Sequence, residues 1–213
     1  MPIDQTFVII GKRASLDVIF ERIEQALLPL GFFRNKEILV DNGESAPDTE
    51  REVTLMVKDL TDDKIRLQGW RSIYMDFNSQ TFSMGVQLDE GISNFIYCYI
   101  FIDRNKIYTF HKNCMPIYLY EMISKVAESV GAIGGYSGFE ASSVSGFPEQ
   151  ILSQLLLNPH VREQWFDIHI VEDSQFNVNQ AKFAWVKDFE PFTCGRFLFF
   201  VNQEFLSLCK DFG

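Results

Sequence analysis

The sequence predicts an α+β fold, in which an aromatic-rich, mainly antiparallel sheet carries two principal helices on one face. Three observations carry this reading. The chain opens on an apolar run followed by an amphipathic helical repeat. Between residues 52 and 102 come four short segments rich in β-branched and aromatic residues, separated by turn residues. A second helical repeat then begins at Pro116.

The first element is "TFVII" (6 to 10), a short apolar run stopped by Gly11 that reads as a buried strand. After it, Leu16, Ile19, Phe20, Ile23 and Leu27 recur at helical spacing, with Ser15 as N-cap and Gly31 as the C′ residue. "GFFRNKEILV" reads as the next strand, and "DNGESAPDTE" (41 to 50) as a polar loop. "EVTLMVK", "SIYMDFN", "FSMGVQL" and "FIYCYIFI" then form an antiparallel meander. In the last of these both alternating residue sets are apolar, which marks a strand covered on both faces. "DRN" (103 to 105) reads as a hairpin turn into a strand "KIYTFH".

The second helix places Leu119, Met122, Ile123, Val126 and Val130 on one face and stops at Gly131. Laid over the first unit at an offset of 100 residues, strand 7 to 10 matches 107 to 110, Glu21 matches Glu121, Ile23 matches Ile123, and Gly31 matches Gly131. Either a duplicated strand-helix-strand unit or common helix grammar explains this. The comparison makes residues 133 to 140 a strand and 141 to 147 a loop into a helix at Pro148. "FDIHIVED", "KFAWVKDF" and "RFLFFVN" read as further strands before a short terminal helix. The chain reads as one domain over 1 to 213, with lobes at 1 to 140 and 141 to 213 as the alternative division.

Composition bounds the function. With 46% hydrophobic and 23% charged residues the chain is an ordinary folded protein, and its 21 phenylalanines imply an aromatic core. A net charge of −10, spread over both halves, offers no basic face to nucleic acid and would instead steer a basic protein partner. The N-terminus lacks the pattern of a secretory leader, and the longest apolar runs fall short of the roughly 18 residues of a membrane span, so the expected location is cytoplasmic. Cys98, Cys114, Cys194 and Cys209 lack the density of a disulfide framework and are expected to be reduced.

"GAIGGYSGFEASSVSG" (131 to 146) concentrates five glycines and four serines and invites a chemical reading. A phosphate-binding loop is excluded by chemistry: Gly131 follows a helix, and no Lys or Arg occurs between Lys125 and Arg162. "GYSGF" approaches a nucleophile elbow, but Phe139 replaces the second glycine. Ser137, Asp167 and His169 follow hydrolase order, yet Asp167 and His169 are two apart on one strand face, which suits no orienting acid. On that alternation His169 is expected to face solvent. "HKNC" offers His111 and Cys114 as one weak metal half-site, so no metal and no cofactor is expected. No carboxylate stands inside an apolar run, where burial would raise its pKa.

The expected function is therefore a non-catalytic protein-binding domain with an acidic, aromatic-bearing surface. Its general character is that of inhibitor or immunity proteins. Trp70, Trp165 and Trp185 each flank charged residues, as surface anchors do, although core burial explains them too. The second reading is a small-molecule-binding domain or enzyme with an aromatic-lined pocket near 131 to 140, where Tyr136, Ser137, Glu140 and His111 supply the polar groups.

Overall fold

The computed structural model describes residues 4–12, 14–42, 52–56, 70–91, 94–113, 115–139, 148–150, 166–174 and 188–211. Strand β1 (Asp4–Lys12) leads into helix α1 (Leu16–Leu27), a single 3-10 turn (Leu28–Leu30) and β2 (Phe33–Asp41). The meander follows as β3 (Glu52–Met56), β4 (Ser72–Asn78), β5 (Ser83–Glu90) and β6 (Phe95–Asp103). Next come helices α2 (Arg104–Lys112) and α3 (Pro116–Ser129) and strand β7 (Ala132–Phe139). The chain closes with β8 (Ile168–Glu172), β9 (Phe189–Cys194), β10 (Phe197–Asn202) and helix α4 (Gln203–Asp211).

Among the described residues ten strands join one sheet in the order β3-β2-β4-β5-β6-β1-β7-β8-β10-β9, with every neighbouring pair antiparallel. Strand β1 lies near its centre, and seven consecutive residues of it are buried, as an apolar run covered on both faces requires. Its alternate side chains separate two clusters. Phe7 and Ile9 enter the main core, with Ile96, Cys98, Ile100 and Ile102 of β6 and the buried residues of all four helices. Val8 and Ile10 face the other way, toward Tyr97, Tyr136 and Phe166. Helices α1 to α4 therefore cover one face of the sheet, with α1 against α3 and α2 against α4.

Gly31 and Gly131 both end helices with positive φ, 82° and 60°, a region that glycine adopts without the Cβ penalty. Helix, glycine and following strand thus correspond in the two units. The leading strands do not. Residues 104 to 112 form a helix, where alternation predicted a hairpin strand. The Asp103 side chain accepts from the Asn105 N–H at 2.9 Å, and Ile107 and Phe110, three apart, are the residues the helix buries. The duplicated strand-helix-strand unit fails at this element.

Residues 148 to 150 are helical, while the remainder of the helix predicted from Pro148 and most of "KFAWVKDF" lie outside the described residues. No helix among the described residues is long and apolar enough to cross a membrane.

Candidate functional site

Of the residues singled out around the glycine-rich strand, the described ones, Tyr136, Ser137 and His111, do not share one face of the sheet. Successive residues of a strand face opposite ways. Tyr136 pairs with Val8 and packs its ring edge-on to Phe166, centroids 4.6 Å apart, on the face away from α1 to α4. Ser137 pairs with Phe7 on the helix-covered face. His111 sits in the last turn of α2, where its ring lies 2.9 Å from the Tyr120 hydroxyl and among Phe192 and Phe205. Burial holds its pKa down at about 4, so the ring is neutral at physiological pH. Trp70 is 7% exposed and belongs to the main core, so it is no surface anchor. Glu140, Trp165 and Trp185 lie outside the described residues.

His169 corrects a second expectation. It is 4% exposed, pairs with Tyr136 and Phe200, and packs edge-on to Phe189 at 5.1 Å. Burial lowers its pKa to about 3. Asp167 precedes the strand in a bend, which breaks the shared parity with His169 and turns the carboxylate to the other face.

There, Asp167 helps build a partly buried polar junction that the sequence did not disclose. The Gln5 Nε2 amide donates to Ser137 Oγ at 3.1 Å and to Asp167 Oδ2 at 3.0 Å. Arg104, the first residue of α2, reaches the same Oδ2 at 3.4 Å and lies over the rings of Tyr108 and Phe205. Burial raises the Asp167 pKa against the pull of Gln5 and Arg104. The junction ties β1, β7, β8, α2 and α4 together. It does not activate a nucleophile: Ser137 meets a neutral amide, and the His169 imidazole lies on the opposite face. Among the described residues no group of three or more His, Cys, Asp or Glu is placed to hold a metal ion.

A different constellation appears where β4, β5 and β6 run side by side on the face away from α1 to α4, where the Tyr97 hydroxyl donates to Glu149 of the helical residues 148 to 150. Antiparallel register sets cross-strand partners on the same face. One row reads Asp76, Gly85, Phe101, the next Tyr74, Gln87, Tyr99, and the third Ser72, Asp89, Tyr97. Of these, Ser72, Tyr74, Asp76, Gln87, Asp89, Tyr99 and Phe101 are half-buried, keeping part of their surface in water.

Polar contacts hold this platform in shape. Tyr74 donates its hydroxyl to Asp76 Oδ1 at 2.7 Å, while Ser72 Oγ and Gln87 Nε2 donate to Asp89 Oδ1 at 2.6 and 2.9 Å. The Tyr74 ring passes directly over Gly85: a Cβ there would stand 2.5 Å from its hydroxyl and 2.8 Å from Cε2. The Phe101 ring centroid is 6.3 Å from that of Tyr74 and 6.4 Å from that of Tyr99, the latter pair within 17° of parallel. Burial, reinforced by Asp76 and Asp89 respectively, raises the pKa of Tyr74 and Tyr99, so both phenols stay protonated. Burial also raises the pKa of Asp89, against its two hydrogen bonds.

Sequence reasoning passed over these residues, although Tyr74 with Asp76 and Tyr99 with Phe101 stand two apart in segments read correctly as strands. That spacing was the available signal. Elsewhere a groove opens between α1 and α3, lined by Arg22, Ala26, Leu30, Glu121 and Lys125, and it does not involve residues 131 to 140. Comparison with protein-family models, with curated proteins and with solved structures returns no match.

Proposed function

We propose that this chain is a non-catalytic protein-binding domain that engages a basic partner through the β4–β6 face, in the manner of an inhibitor. One observation carries the reading: aromatic rings and carboxylates share a half-exposed, hydrogen-bonded platform on a rigid sheet. Aromatic side chains supply contact area at little entropic cost, and fixed carboxylates supply complementarity to a cationic surface. The net charge of −10 would steer such a partner from a distance. Ser137 and His111, which serve hydrogen bonds within the fold, and Cys98 and Cys209, which are buried, support the same reading.

Affinity capture from the native source, with the wild-type chain and a Tyr74→Ala/Asp76→Asn/Asp89→Asn variant side by side, tests this. The expected partner is retained by the wild type at low salt, weakens about tenfold or more as ionic strength rises past about 0.1 M, where the Debye length is about 10 Å, and is lost from the variant. Capture that ignores both salt and the triple substitution contradicts the proposal.

A further inference from the structure

The platform has the chemistry of a specific subsite. The Tyr74 phenol donates to Asp76, which leaves its ring electron-rich, and the carboxylate sits beside the ring it holds. A cation over an aromatic face within about 6 Å of the centroid gains from the ring quadrupole, and more when a carboxylate shares it. Among the described residues neither Asp76 nor Asp89 meets a Lys or Arg side chain. Among the described residues the counter-charge is thus not supplied.

The ring geometry selects among cations. Tyr99 and Phe101 stand nearly parallel, 6.4 Å apart between centroids. A planar cation stacks on an aromatic face at about 3.5 Å, so these rings offer it stacking faces. A guanidinium is planar, stacks on aromatic faces and pairs with carboxylates through a fixed fork of donors, whereas an ammonium is a compact, strongly hydrated point charge. Gly85 makes the arrangement possible. Any larger residue would strike the Tyr74 hydroxyl and ring edge and push the ring off the sheet.

We propose that Tyr74, its ring set over Gly85 and held by Asp76, forms with Tyr99 and Phe101 a subsite for the guanidinium of an arginine side chain carried by the protein partner. The inference rests on the protein-binding reading above and adds the residue that is recognised. Gly85 acts as a positioning residue and Asp76 as the counter-charge.

The test titrates N-acetyl-arginine methylamide and, separately, N-acetyl-lysine methylamide into the whole protein, with the Tyr74, Tyr99 and Phe101 ring signals followed by NMR. The arginine probe is expected to move all three saturably, with about tenfold weaker binding of the lysine probe. Asp76→Asn, an isosteric change at a half-buried position, is expected to weaken the arginine probe about tenfold. In Gly85→Ala the Tyr74 ring, half-exposed and free to swing outward, is expected to shift before any probe is added, with binding lost. An arginine probe that moves none of these signals overturns the subsite. So does one that binds Asp76→Asn and Gly85→Ala as well as wild type, or equal binding of the two probes. Partner capture lost in the triple variant alongside a failed arginine titration would sink the subsite while leaving the protein-binding reading standing. Capture that survives the triple substitution would sink that reading itself.

Discussion

Acidification offers a sharp check on the packing, because two of the chain's three histidines, His169 buried and His111 partly so, are held neutral. In the fold, burial lowers His111 to about 4 and His169 to about 3 from an ordinary value of 6.5. The unfolded chain therefore binds protons more readily than the folded one between those values and 6.5. Stability rises with pH across that window and is lost as pH falls below 6.5. Integrated from pH about 7.5 to about 5.5, a fully buried histidine costs about 1.3 kcal/mol. His169 should show most of that, and His111, which keeps one edge toward solvent, somewhat less, for a combined loss of about 2 kcal/mol. The assay is urea unfolding at both pH values for wild type and for His169→Gln, His111→Gln and the double variant. The carboxylates Asp89 and Asp167, raised by burial, act in the opposite sense at lower pH, and the comparison between variants subtracts them. The double variant should lose most of the pH dependence whatever its absolute stability. A double variant with the wild-type slope, or a His169 ring that titrates near 6.5 by NMR, would refute the burial argument.

Three further outcomes are expected. Gly135→Ala should destabilise by about 3 kcal/mol in urea unfolding, because its Cβ would fall 2.5 Å from the Val8 carbonyl oxygen in the middle of the β1–β7 pair. Gly131→Ala, with open space but φ of +60°, should cost only about 1–2 kcal/mol in the same assay. Asp167→Ala should cost about 1–2 kcal/mol by removing the carboxylate that accepts from the Gln5 amide and from Arg104, and Ser137→Ala about 1 kcal/mol, with neither altering partner capture. Cys98 and Cys209, with thiols raised by burial, Cys209 to about 12, should resist Ellman's reagent until urea unfolds the chain.

The β4–β6 meander was legible because each strand has a short apolar or alternating signature and a turn on either side. Strand β7 was legible because Gly131 ends a clear helical repeat. Residues 104 to 112 were not. "IYTFH" alternates like a strand while also placing Ile107 and Phe110 three apart, and Asp103 decides for the helix by capping it. His169 was misread for a related reason: alternation gives parity, but whether a face is wet depends on which rings fold over it, here those of Phe166 and Phe189.

The candidate site was half legible. Tyr74 with Asp76, and Tyr99 with Phe101, share a face by the two-residue period of a strand. That Gly85 falls between Asp76 and Phe101, and so lets the Tyr74 ring cross the sheet, follows from the register of three strands and lies beyond local pattern. The Gln5, Asp167 and Arg104 junction joins residues up to 162 positions apart, a separation no spacing rule reaches.

Hydroxyl-radical footprinting of the chain with and without its captured partner tests the central claim most directly. The account predicts that Tyr74, Tyr99 and Phe101 lose reactivity in the complex while the exposed apolar residues Leu28, Phe33, Met115 and Ile117 keep theirs. Protection of those four with unchanged reactivity at Tyr74, Tyr99 and Phe101 would contradict it.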